Sequence, residues 1–67
     1  MIKFAERLKE LRVEKELSQR DLAKATKISQ NAITLWENNK RIPNAVAVAV
    51  LARFFGVTTD YLLGLED

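Results

Sequence analysis

Three times along the chain a hydroxyl residue able to cap a helix stands inside a pair of apolar residues five positions apart: Leu17 and Leu22 around Ser18, Ile28 and Ile33 around Ser29, Val57 and Leu62 around Thr58. A Ser or Thr in that place accepts a hydrogen bond from a first-turn N–H, and the apolar pair packs as a staple that fixes the angle of entry. At Ser18 the following Asp21 supplies the returning carboxylate of a capping box. The recurrence predicts helices starting near residues 19, 30 and 59. The Ser29 cap comes so soon that the second helix must end by about Thr26. A short helix, a three-residue turn and another helix therefore occupy about 19–38.

The rest of the chain reads the same way. Only two Gly and one Pro punctuate it, so the turns are short. Phe4, Leu8 and Leu11 recur at helical spacing among charged residues, which predicts a first helix over about 3–15. Its Glu6, Lys9, Glu10 and Glu14 form a solvated face. Asn38 and Asn39 suit a helix end, because Asn tolerates the left-handed conformation. Asn44 caps a fourth helix that runs to about Phe55, with Gly56 as its stop. That segment carries a conflict: Ala45 to Val50 alternates Ala with β-branched Val, which favours a strand. The apolar run continues through Leu51 and Ala52, and no second strand exists to pair with it. The expectation is an all-α fold, a compact five-helix single domain over 1–67.

Composition removes whole classes of function. The chain has no Cys and no His, so it has no disulfide, no zinc-finger ligand set and no Cys or His nucleophile. No Gly-rich phosphate loop is present, and the carboxylates are interleaved with Lys and Arg on helical faces. We expect no enzyme, no cofactor and no metal. The longest apolar run, Ala45 to Ala52, is far short of the ~20 residues that span a bilayer. A cytoplasmic protein with no membrane partner is expected. All 11 Lys and Arg precede Phe54, whereas Asp60, Glu66 and Asp67 follow it without a base. A basic body with an acidic end suits a surface that faces a polyanion.

The second helix of the tight pair has two faces. Ile33 and Trp36 mark an inward side, whereas Gln30, Asn31, Thr34 and Asn38 mark the other, with no carboxylate before Glu37. Gln and Asn pair bidentately with adenine, and a Thr methyl contacts that of thymine. Gln30, Asn31 and Thr34 are therefore the candidate base-contacting residues. The stretches Leu17-Ser18-Gln19-Arg20-Asp21-Leu22-Ala23, Ile28-Ser29-Gln30 and Trp36 to Pro43, closed by Phe55-Gly56-Val57 and Asp60 to Gly64, resemble the Cro/CI-type (XRE-like) helix-turn-helix family. The resemblance covers roughly residues 4–64. It implies sequence-specific binding of double-stranded DNA and transcription regulation, with repression the expected direction. It further implies that Gln19 contacts a phosphate and braces the recognition helix, and that Lys40 and Arg41 contact phosphates. Arg12 and Glu37 match positions that form an internal ion pair, with the Arg also reaching toward DNA.

Two positions depart from the family pattern. Lys27 and Asn39 stand where Gly is common. Asn39 is an acceptable substitute. A left-handed Lys27 costs on the order of 1 kcal/mol, unless the turn is shaped differently. Lys27 adds a charge on the side facing DNA, and with Asn38 it joins the expected phosphate contacts. The fourth helix is apolar at every position from Ala45 to Phe55 except Arg53, more than a domain this small can wrap. Val46, Val50, Phe54 and Leu65 are therefore the expected homodimer contacts, and a two-fold dimer implies a near-palindromic operator. The competing reading is an antitoxin-like interaction module whose fourth helix binds an additional protein partner.

Overall fold

A computed structural model describes residues 3–66, which form five helices and no strand: α1 Phe4–Glu14, α2 Gln19–Thr26, α3 Gln30–Glu37, α4 Ala45–Phe55 and α5 Thr59–Leu63. Met1, Ile2 and Asp67 lie outside the described residues. Each of the four later helices starts on its expected cap. Ser18 accepts from the Asp21 N–H, Ser29 from Ala32, Asn44 from Ala47 and Thr58 from Tyr61. At Ser18 the box closes, since the Ser18 N–H also donates to Asp21 Oδ2 at 3.0 Å. That bond holds the Asp21 carboxyl below its ordinary range. First and third helices are each slightly shorter than expected. Lys3 caps α1 without a side-chain bond, and Asn38 is the C-cap of α3, not its last residue.

Every helix contributes one fully buried aliphatic side chain to a single centre: Leu8, Leu22, Ile33, Leu51 and Leu62. Burial of each is worth about 1.5–3 kcal/mol relative to exposure. Around them pack Phe4, Trp36, Val48 and Phe55, and the Phe4 and Trp36 rings meet edge to face at 5.9 Å. The α4 alternation resolves as a helix because it buries Ala47, Val48, Leu51, Ala52 and Phe55, a helical stripe. The last helix is fastened to the first. Arg7 Nη1 donates to the Tyr61 carbonyl at 2.9 Å, its guanidinium lies 4.1 Å over the Tyr61 ring, and Lys3 N–H donates to the Leu63 carbonyl.

Three helices end on left-handed residues that are not glycine: Glu16, Lys27 and Asn39, at φ 58°, 62° and 58°. The turn at Lys27 is thus the left-handed one, with its N–H on the Ala23 carbonyl. Glu16 was not foreseen. It closes α1 by donating to Val13 while Leu17 donates to Arg12, the bond pattern of a Schellman end. Its side chain is exposed. Glu16→Gly should therefore raise the unfolding free energy by about 1 kcal/mol, the left-handed penalty of an L-residue. Urea titration followed by circular dichroism measures this, and a destabilised variant would show that the Glu16 conformation carries no strain.

Candidate nucleic-acid interface

The tight pair is α2 and α3, joined by Lys27, Ile28 and Ser29. Leu22 and Ile33 are buried between the helices and the core, which directs the opposite side of α3 outward. Gln30, Asn31 and Asn38 are exposed on it, as are Lys27 before it and Lys40 and Arg41 after it. The first turn of α3 holds no acidic residue. Nothing there repels a phosphate, and the helix N-terminus favours negative charge.

Behind this face lies a polar network joining three helices. Arg12 of α1 donates from Nε to Glu37 Oε2 at 2.8 Å and from Nη2 to Glu37 Oε1 at 2.9 Å. Its Nη1 donates to the Leu17 carbonyl at 2.8 Å, which ties the α1–α2 turn to the same group. The side chains are 12% and 3% exposed, so the pair is shielded from water. The hydrogen-bonded Glu37 carboxylate raises the Arg12 pKa above its ordinary value, against the opposing effect of burial. Gln19 of α2 donates to Glu37 Oε1 at 3.1 Å and accepts from the Thr34 hydroxyl. The structure thus brings Arg12, Gln19, Thr34 and Glu37 together and leaves Gln30, Asn31 and Asn38 free.

Thr34 occupies a different place from the one its spacing suggested. It is half-buried and its hydroxyl donates to Gln19 Oε1. The expected dimer residues are exposed: Val46, Val50, Phe54 and Leu65. Ile42 joins them as the most exposed large apolar side chain among the described residues, and it was missed. An apolar residue between Arg41 and Pro43 in an otherwise polar loop was the available signal. Among the described residues no group of three acidic, His or Cys side chains is placed to hold a metal, and no helix is long and apolar enough to cross a membrane.

Two eight-residue helices about a three-residue turn, the second braced from behind and polar in front, constitute a helix-turn-helix domain. The chain belongs to the helix-turn-helix domain family, whose sequence model matches residues 5–67. It is 39% identical over 66 residues to the HTH-type transcriptional activator BcrR of Enterococcus faecalis, covering 98% of this chain and 32% of that protein. It is 31% identical over 64 residues to the HTH-type transcriptional regulator ImmR of Bacillus subtilis (strain 168), covering 96% of this chain and 50% of ImmR. Against the cryptic phage CTXphi transcriptional repressor RstR of Vibrio cholerae it is 32% identical over 54 residues, covering 81% of this chain and 49% of RstR. The chain therefore spans about a third to a half of these relatives' length.

Proposed function

We propose that this chain binds double-stranded DNA sequence-specifically as a homodimer and regulates transcription in the cytoplasm, through a non-enzymatic helix-turn-helix domain. One observation carries the reading: the exposed, carboxylate-free amide face of α3, held in place by the Arg12–Glu37–Gln19–Thr34 network. With α3 in the major groove, Gln30 and Asn31 reach base edges, and Thr34 offers its methyl group to thymine. Gln19, locked by Glu37 and Thr34, keeps an amide hydrogen for a phosphate. Exposed Lys27, Asn38, Lys40 and Arg41 complete the phosphate contacts, and Arg12, bonded to Glu37 and Leu17, has only its leftover guanidinium hydrogens to add to them. A two-fold pair of such domains reads a near-palindromic operator. BcrR is named an activator and RstR a repressor, and repression is the direction proposed for this chain.

Selection of bound sequences from a random DNA pool tests the reading. Gln30→Ala or Asn31→Ala should cost about 1–3 kcal/mol on the selected site and relax preference at one or two positions. Equal losses on selected and random DNA would remove both residues from base contact. Lys40→Ala with Arg41→Ala should weaken binding on all sequences and flatten the log–log salt slope by about one unit per lost contact. An unchanged slope would take both residues out of the interface. If instead the Gln30 and Asn31 variants keep full activity while α4 variants lose it, the chain is an interaction module for another protein.

A further inference from the structure

The exposed apolar residues of α4 recur every fourth position, at Val46, Val50 and Phe54, which are 72%, 37% and 36% exposed. Such a row is a ridge along the helix, and it is symmetric about Val50. Beside its N-terminal half runs a groove of about 410 Å³, walled by Ile28, Ala32 and Trp36 on one side and Val46, Ala47 and Val50 on the other. The small residues Ala32 and Ala47 leave room there for a ring. No acidic side chain lines the groove. Its α3 wall runs along the recognition helix from the Ser29 cap through Ala32 to Trp36.

We infer that two copies pack α4 against α4 in antiparallel about a two-fold axis at Val50, so that Phe54 of each copy fills the groove of the other and supports the start of its recognition helix. This rests on the homodimer reading above and specifies its geometry. Ridge and groove lie on one helix at equal distances from one point, four residues either side of Val50, or about 6 Å at 1.5 Å per residue. A two-fold through that point brings the partner's Phe54 opposite Val46, so a second copy matches this surface on both counts at once. Charge selects the direction. Between Glu37 and Asp60 the chain carries Lys40, Arg41 and Arg53 and no carboxylate. Antiparallel packing sets the Lys40–Arg41 end toward the partner's end that carries Asp60 beside Arg53, whereas parallel packing opposes the two Lys40–Arg41 pairs directly. Packing of four-residue ridges crosses the helices at about −50°. In this arrangement each DNA-reading helix is braced from within by Glu37 and from across the axis by Phe54.

The chain has no cysteine, so single cysteines map the contact without background. Sedimentation equilibrium of the whole chain, with and without the selected DNA, is run beside oxidative cross-linking. Val50→Cys should cross-link to itself efficiently. Val46→Cys and Phe54→Cys should each cross-link poorly alone and well when the two variants are mixed. Phe54→Ala should raise the dimer dissociation constant about 100-fold or more, as loss of a buried aromatic anchor from both sides requires. Trp36 is the one tryptophan and lines the groove, so its emission should change on dimerisation of the wild type. A chain that stays monomeric with and without DNA defeats the homodimer reading itself. A chain that dimerises while Val50→Cys fails to cross-link, in a variant that stays helical by circular dichroism, overturns this geometry and leaves the homodimer standing.

Discussion

Glu37→Ala is expected to lower the unfolding free energy by about 3 kcal/mol, against a total of roughly 3–10 kcal/mol for a chain of 67 residues. The substitution leaves a guanidinium that is 12% exposed without its counter-charge. Arg12 cannot escape by deprotonating, so it keeps its charge and only one of its bonds, to the Leu17 carbonyl. Gln19 loses its acceptor at the same time. Most of the cost is therefore the stranded cation and not the worth of the pair. The double variant Arg12→Met, Glu37→Leu separates these, because removing both charges should recover most of the loss. Urea unfolding measures both, and the single variant should melt roughly 15 °C lower. A loss below about 1 kcal/mol for Glu37→Ala would mean that the pair is solvated like a surface ion pair. The folded fraction of either variant should also bind DNA less tightly, since Gln19 and Thr34 lose the anchor that sets their orientation.

Helix boundaries were legible because capping is local chemistry. Ser18, Ser29, Asn44 and Thr58 each satisfy an N–H three residues on, and the apolar brackets around Ser18, Ser29 and Thr58 lie within a few positions of them. The inward and outward faces of α3 were legible for the same reason, as Ile33 and Trp36 are one turn apart and both buried. Helix α4 needed a non-local argument, the lack of any partner strand, to overrule the strand preference of its valines.

What escaped reading depends on contacts between distant residues or on backbone conformation with no side-chain signature. Arg7 meets carbonyls of Tyr61 and Glu66, and no spacing rule within α1 points to them. Thr34 is expected from the sequence to read a base, and only the approach of Gln19 across the helix pair shows where its hydroxyl goes. Glu16 is left-handed where a glutamate gives no warning. The role of Lys27 was half legible. The family pattern marked the position as unusual, and the backbone decided between a strained residue and a different turn.

Trp36→Ala should cost about 3–5 kcal/mol, the range for deleting a large buried aromatic side chain, whereas Trp36→Phe should stay within about 1 kcal/mol of the wild type. The contrast follows from a single atom. Trp36 is 5% exposed and packs edge to face on Phe4, so the ring system joins α3 to the start of α1. Its Nε1–H is buried, and no acceptor among the described residues reaches it. A buried unpaired donor carries a desolvation penalty of about 1–3 kcal/mol. Phenylalanine gives up ring volume, which costs stability, but it also removes that penalty, and the two offset. Alanine removes the whole ring and leaves a cavity beside Phe4 that the short helices cannot close. Urea unfolding followed by circular dichroism, which needs no tryptophan signal, gives both values. A Trp36→Phe cost clearly above about 1 kcal/mol would mean that the indole N–H is paired in solution. Its partner would then be a water in the groove that Trp36 lines, and the wall behind the recognition helix would be wet.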